Sequence, residues 1–394
     1  MGPHLRVGVD VGARSHSVGI ADSEGRILEE FTIPHSQEGF QEFFARIERH
    51  RQKGNLPVEV AMEGLNGWGR PLDGMILARG YRLYNVNNLK LARFREIFPG
   101  GAKTDKLDVR KILELAKLKD HLPVAKDVLH EVGPVPPENQ KLKRLTRRRR
   151  QLVAEKVRLV NRMKSDLLAV CPELLGITGE VTNLWFLRFL ASRDDLRELA
   201  GMSPKEVRAI RGIGKKYAGV IAQWQQGAQF SEEVEYVGPM IVADARRLLE
   251  VLGEVAKLEE AIEELVASSP LAQRIDSIPG FGAICSGELA GEIGTMERFD
   301  SERSLALYLG MCPLVHQSGE SKGSKRPRQV NRRAKAAMMT AVARHMERVP
   351  QSRAYYEKKR AEGKRHNQAV RALGRHLVRV MWAMCNGPRD RYHP

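Results

Sequence analysis

The stretch KLKRLTRRRRQLVAEKVRLVNRMKSDLLAV, residues 141–170, contains neither proline nor glycine, and it follows directly on the proline-rich GPVPPENQ of residues 133–140. A breaker followed by such a run predicts a long helix that starts a new structural region. Leu142, Leu145, Leu152, Val153, Val157 and Val160 form a broken apolar stripe on it. Between Lys141 and Lys164 there are eleven basic residues against one acid, Glu155. A second such segment, residues 240–269, has near-heptad apolar spacing and an acidic second half. The two are expected to form an antiparallel coiled coil, within the chain or between subunits, with two core helices of a larger bundle as the competing arrangement.

Upstream of the breaker the pattern is different. LRVGVDVGAR (5–14), SHSVGIAD (15–22) and RILEEFTIP (26–34) read as three strands, the tight SEG turn joining the last two as a hairpin. An amphipathic helix follows, with Phe40, Phe43, Phe44 and Ile47 on one side; then come a strand at 58–64, a helix from about 67, a strand at 81–87 and further helix. Strands first, then helices alternating with strands, predict a mixed α/β sheet. The expected organisation is an α/β domain over 1–123, a linker at 124–140, a helical region over 141–270 and a mainly α region over 271–394.

With 65 Lys+Arg against 48 Asp+Glu, the formal charge is +17. That balance favours a polyanionic partner, nucleic acid first. No apolar run is long enough to span a bilayer and no signal peptide is evident, so a cytoplasmic protein is expected. Cys171, Cys285, Cys312 and Cys385 are widely spaced, with no CxxC pair, and read as core thiols rather than a disulfide framework or zinc site.

The acids are the informative residues. In LRVGVDVGAR, Leu5, Val7, Val9 and Val11 share one face, which leaves Asp10 on the other with Arg6, Gly8 and Gly12. Glu63 repeats that pattern: Val58, Val60 and Met62 share one face, Glu59, Ala61 and Glu63 the other. In KTDKLDVRKILELAK, Asp105 and Asp108 are three apart at a helix start, on one face. Oxygen-only ligands of this kind suit Mg2+ or Mn2+, and two such ions can clamp both oxygens of a phosphoryl transfer. Individually each acid has a plainer explanation, as a cap, a solvated strand end or an ion pair. The glycines flanking Asp10 are expected to leave room for a phosphate.

The words GVDVGARSHSVGIAD, AMEGLNGWG and GGAKTDKLDVRKILELAK resemble the three motif blocks of the DEDD-type insertion-sequence transposases. The resemblance covers about residues 5–120 and 271–385, and the chain has extra length around 171–235. It implies an RNase H-like, RuvC-like N-terminal domain in which Asp10, Glu63, Asp105 and Asp108 are the catalytic and metal-binding acids. YLGMCPLVHQSGESKGSKRPRQVNRRAKAAMM (308–339) resembles the family's C-terminal domain, in which a serine attacks DNA. Ser318 matches, with Ser321 the nearest rival and Ser324 a weaker one. His316 is assigned to packing or DNA contact rather than to general-base work. The segment has no acid between Ser321 and His345, and a basic loop feeding a helix could cradle phosphate.

What the resemblance implies is a site-specific recombinase that moves an insertion element. It would pass through a covalent phosphoserine in a synaptic homo-oligomer, a dimer or tetramer, with Ser318 meeting the carboxylates of another subunit. Donor and target DNA and a structured bridge RNA are the implied partners, Mg2+ or Mn2+ the cofactor, and the prokaryotic nucleoid the place of action. Arg147, Arg148, Arg149, Arg150, Arg158 and Arg162 on the long helix are expected to face nucleic-acid backbone, as are Lys322, Lys325, Arg326, Arg328, Arg332 and Arg333. Competing readings are a water-using RuvC-type nuclease and a non-catalytic nucleic-acid-binding oligomer. IPGFGAICSGELAGEIG (278–294) also reads as a helix-hairpin-helix, and IRGIGKKYAGVIAQW (210–224) as a fainter one, with ordinary αα-turns as the alternative.

Overall fold

The computed structural model describes residues 3–52, 55–64, 69–96, 105–121, 129–318, 321–325, 327, 330–387 and 392, without the side chains of 88–90, 95, 105–106, 120–121, 314–318 and 321–325. Two compact units result: Met1–Val135 with Thr295–Asp300, and Pro136–Gly294 with Ser301–Pro394.

The first unit runs β1 (Leu5–Val11), β2 (Ser15–Ala21), β3 (Ile27–Pro34), α1 (Gln37–Arg51), β4 (Val58–Met62), α2 (Arg70–Ala78), β5 (Arg82–Val86), α3 (Asn88–Arg95), α4 (Asp105–His121) and β6 (Leu129–Glu131). Its sheet has the order β3-β2-β1-β4-β5-β6. The β1–β2–β3 meander is antiparallel, whereas β4 lies parallel to β1 and β5 parallel to β4. The mixed α/β expectation holds in this unit. Strand β6 lies beyond the boundary expected near residue 123; only Leu129 of its three residues is buried, too little to write a strand pattern.

Each face of the sheet has its own helical cover. Val7, Val9, Val60 and Met62 pack on Phe40, Phe43, Ile47, Leu72 and Ile76 of α1 and α2. Ser36 caps α1, its side chain accepting from the Gly39 N–H. Within this core His16 is fully buried. Its Nε2 lies 2.9 Å from His35 Nδ1, and its ring stacks on Phe40.

Burial, and after it the neighbouring His35, lowers the His16 pKa from 6.5 to about 4. Between those values the unfolded chain takes up a proton that the fold refuses, so stability falls as pH drops from about 6.5 towards 4. The loss reaches about 2–3 kcal/mol. Acid-unfolding curves of the parent and His16→Gln should therefore diverge in that window, the variant losing the steeper segment.

The second unit contains α5 (Pro137–Val170), α6 (Glu173–Gly176), α7 (Leu184–Leu190), α8 (Pro204–Ala209), α9 (Lys215–Gln225), α10 (Val234–Ser268), α11 (Pro270–Asp276), α12 (Gly282–Ile293), α13 (Glu302–Tyr308), β7 (Leu314–Ser318), β8 (Ser321–Lys325), α14 (Arg332–Arg348), α15 (Pro350–Ala361) and α16 (His366–Asn386). Helices α5 and α10 are the two long ones expected. They run antiparallel, since Arg149 pairs with Glu259, Glu155 with Arg247 and Arg162 with Asp244.

They do not stand alone as a coiled coil. Phe186, Phe189, Leu190, Ile221 and Trp224 of α7 and α9 join Leu159, Met163, Ile241 and Leu248 in one core. At the other end α12 packs on α5 so closely that a Cβ on Gly291 would sit 2.5 Å from Lys143 N. The pair is the spine of a helical bundle that extends into the C-terminal segment, so the split expected at 270/271 falls inside one unit. The heptad-like spacing was compatible with either outcome, because core helices of a bundle show the same stripe.

Candidate active site

Strands β1 and β4 are the central pair of the sheet, and their parallel register matches Val9 with Met62. The next residues, Asp10 and Glu63, therefore stand side by side where the two strands end, with the Glu63 N–H donating to Val9 O at 3.1 Å. Both are half-buried. Alternation puts them on the sheet face opposite the α1/α2 core.

Helix α4 covers that opposite face. Val109 and Leu113 lie against Gly8 and Gly19, where an added Cβ would come within 3.1 Å of Val109 O and 2.6 Å of Val109 Cγ1 respectively. Further along α4, Lys119 Nζ lies 3.8 Å from Glu59, near the start of β4. Helix α4 thus runs antiparallel to β1 and β4, and its first turn lies over the strand ends that carry Asp10 and Glu63. Asp108, 3 % exposed, is in that turn. Asp105 is the first residue of α4, and its side chain lies outside the described set.

The glycines flanking Asp10 have a different explanation from the one expected. Gly8 lets α4 pack closely, since a Cβ there would come within 3.1 Å of Leu113 Cγ and Val109 O, and Gly12 is required because a Cβ would sit 2.5 Å from Ser15 O in the β1–β2 turn. A sequence reading could not see the helix that occupies the space.

The donor set is oxygen-only and carboxylate, which suits a hard divalent ion. Among the described residues no three His, Cys, Asp or Glu side chains are grouped so as to hold a metal.

In the C-terminal segment, the basic loop expected around Ser318 is a hairpin. Strands β7 and β8 pair antiparallel, Ser318 directly opposite Ser321 and His316 opposite Gly323. The side chains of Ser318, Ser321, Ser324, His316, Lys322 and Lys325, and residues Arg326 and Arg328 altogether, lie outside the described set.

Arg332 and Arg333 are exposed at the start of α14. That helix end is not an open phosphate cradle, because Asn331 Oδ1 accepts from the Arg333 and Ala334 N–H groups, each at 3.0 Å. Asn331 is itself fixed by donating from Nδ2 to Glu292, 2.7 Å away.

The basic face of α5 is largely paired within its own unit. Arg147 grips Glu292 at 2.6 and 2.9 Å, and Arg150 grips Glu288 at 2.5 and 2.8 Å. Arg148 pairs with Glu254, Arg149 with Glu259 and Arg162 with Asp244, while Arg158 is exposed. The charge run expected to face nucleic acid is therefore matched by acids of α10 and α12. Glu288 and Glu292 were missed in the sequence; their signal is two acids one turn apart on an otherwise apolar helix, opposite Arg147 and Arg150 at helical spacing.

Burial pushes the Glu288 carboxyl above its usual range despite Arg150. For Glu292 burial pushes the same way, but Arg147 and Asn331 outweigh it and hold the group low.

A mixed sheet in this order, with acids at the ends of its central parallel strands, is compatible with the RNase H-like class. Comparison with known proteins narrows this. The DEDD-type transposase model of the IS110 group matches residues 7–172, and the model described as transposase of the IS116/IS110/IS902 family matches residues 272–357. The chain belongs to this family of insertion-sequence transposases.

Among its relatives, the 42 kDa protein of insertion element IS900 from Mycobacterium paratuberculosis is 28 % identical, over 98 % of this chain and 96 % of its own length. The 44.8 kDa protein of insertion element IS116 from Streptomyces clavuligerus is also 28 % identical, over 97 % and 95 %. The transposase for insertion sequence element IS1111A of Coxiella burnetii is 27 % identical, over 45 % of this chain and 53 % of its own. Such proteins act on DNA. Among the described residues no helix is long and apolar enough to cross a membrane.

Proposed function

We propose that this transposase cuts and rejoins donor and target DNA by phosphoryl transfer at Asp10, Glu63, Asp105 and Asp108, with Ser318 as the nucleophile. The observation that carries the proposal is the register: Asp10 and Glu63 end neighbouring parallel strands beneath the first turn of α4, the turn of Asp105 and Asp108. These four residues would hold Mg2+ or Mn2+, which when bound stabilises charge on the attacking and leaving oxygens. The serine Oγ bonds to phosphorus as the DNA oxygen leaves, and the hydroxyl proton passes to a base. Its support is the SG setting of Ser318 and the surrounding run of Lys322, Lys325, Arg326, Arg328, Arg332 and Arg333, in a stretch without an acid from Ser321 to His345. A structured bridge RNA is proposed as the guide, and a homo-oligomer as the working form.

Covalent trapping tests this. Protein, Mg2+, labelled DNA and the element's flanking RNA are combined, then denatured. A labelled adduct that disappears in Ser318→Ala is expected. Cleaved DNA with no adduct would overturn the serine and leave the carboxylates acting with water. An adduct that survives Ser318→Ala and disappears in Ser321→Ala would move the nucleophile across the hairpin.

A further inference from the structure

Five arginines of α5 are matched by acids, but the cations of the turn between α8 and α9 are not. Residues 207–231 contain no acid. Glu206 is engaged by Arg193 and by the Ser203 N–H. Arg208, Arg211, Lys215 and Lys216 are all exposed. None of these four forms an ion pair among the described residues, in contrast to the neighbouring Arg193 and Arg197.

The turn itself is anchored to its surroundings. Gly212 has φ +98°, Ile213 is buried, and Arg188 Nη1 donates to Arg211 O at 3.0 Å. Trp185, 6 % exposed, lies against Gly212 and stacks on Tyr217 with ring centroids 4.3 Å apart. Its buried Nε1–H has no acceptor among the described residues. Gly214 then starts α9 without a side-chain cap, and a Cβ there would meet nothing within 4 Å. The first amides of α9 are therefore without a side-chain cap, in a stretch that carries four exposed cations with no ion pair among the described residues.

We propose that the α8–α9 turn is a second nucleic-acid-binding surface, which takes a backbone phosphate of duplex DNA on the amides after Gly214, with Lys215, Lys216, Arg208 and Arg211 around it. Amides and cations recognise phosphate without reading bases, and duplex DNA is the substrate class of a transposase. The surface lies between the two stretches matched by the family models, 7–172 and 272–357. It does not depend on the carboxylate chemistry.

The test is equilibrium binding of the full chain in EDTA, so that no strand is cut, to a duplex of arbitrary sequence and to a structured RNA. Lys215→Ala/Lys216→Ala should weaken duplex binding about tenfold or more and reduce the slope of log affinity against log salt by about 2. Gly214→Ala is compatible with its ordinary φ of −87° and adds a methyl group at the residue from which the α9 amides start. It should weaken duplex binding about tenfold with the slope unchanged, as expected for losing a hydrogen bond to a charged group. Thermal unfolding of Lys215→Ala/Lys216→Ala should match the parent, and that of Gly214→Ala should fall by no more than a few degrees, Ala being a poorer N-cap than Gly. Unchanged duplex binding in both variants overturns the proposal. Loss confined to the lysine pair overturns the amide grip, and loss confined to RNA overturns the choice of DNA. Failure on any of these counts would leave the carboxylate reading standing, because nothing is cut in the assay.

Discussion

Asp10→Asn and Glu63→Gln should each lower strand cleavage about a thousandfold or more, while DNA binding measured in EDTA stays within about threefold of the parent. Both substitutions keep side-chain shape and remove only charge. The two residues are half-buried at adjacent strand ends, beyond the Val9–Met62 pairing, so the sheet below them is not disturbed. A thousandfold loss corresponds to about 4 kcal/mol of transition-state stabilisation, a reasonable share for a carboxylate that positions or neutralises charge in phosphoryl transfer. Asp108→Asn is expected to add a loss of stability, because it is buried in the α4 turn. Rates measured under single-turnover conditions, alongside melting curves, separate the effects. Asp10→Asn protein that cleaves within tenfold of the parent would remove the carboxylates from the mechanism.

The largest effect on folding is expected at Glu292. Its carboxylate is 1 % exposed, accepts both arms of Arg147 and also accepts from Asn331, and its backbone carbonyl accepts from the Tyr308 hydroxyl at 2.6 Å. One residue therefore joins α5, α12, the end of α13 and the start of α14. Glu292→Leu leaves the Arg147 guanidinium part-buried without its partner, a situation that costs about 3–5 kcal/mol. The denaturation midpoint of the second unit should fall accordingly. Arg147→Leu/Glu292→Leu should recover part of the loss, since two apolar groups replace a broken pair. A double variant that loses as much as the two single variants added together would show that the pair is not coupled. Because Glu292 is held ionised, its contribution is present above the ordinary carboxylate range and is lost as pH falls through the lowered folded value.

These two sites differ in how far they could be read beforehand. Asp10 and Glu63 stood out because a charged residue broke an alternating apolar strand, and period-two alternation assigns a face without any tertiary information. The side-by-side placement of the two strands was not written in either one. It depends on β4 pairing with β1 on one side as well as with β5 on the other, a long-range choice. Glu292 sat in GELAGEI, whose acids look like an ordinary helical pair until α5 is laid against them.

The same limit explains the basic run 141–164. Counting charges along the chain correctly found a long cationic helix, yet counting cannot tell a cation facing solvent from one facing Glu254, Glu259 or Glu288. That distinction leaves only part of the α5 charge uncompensated and brings the α8–α9 turn, a stretch with far fewer basic residues, level with it. The hairpin of Leu314–Ser318 and Ser321–Lys325 is likewise not legible in the sequence, because SGESKGSK lacks the β-branched and aromatic residues that mark a strand.

By itself, the sequence determined the α/β character of the first unit, the two long helices, the four acids in their motif blocks and the family those blocks imply. These are local periodicities and short words, and local sterics suffice to write them. Only the tertiary structure decided which strands are neighbours, that α4 rather than a phosphate fills the space beside Gly8, and which arginines are already paired. Those outcomes depend on contacts between residues far apart in the chain, where burial and charge pairing are settled by packing rather than by spacing.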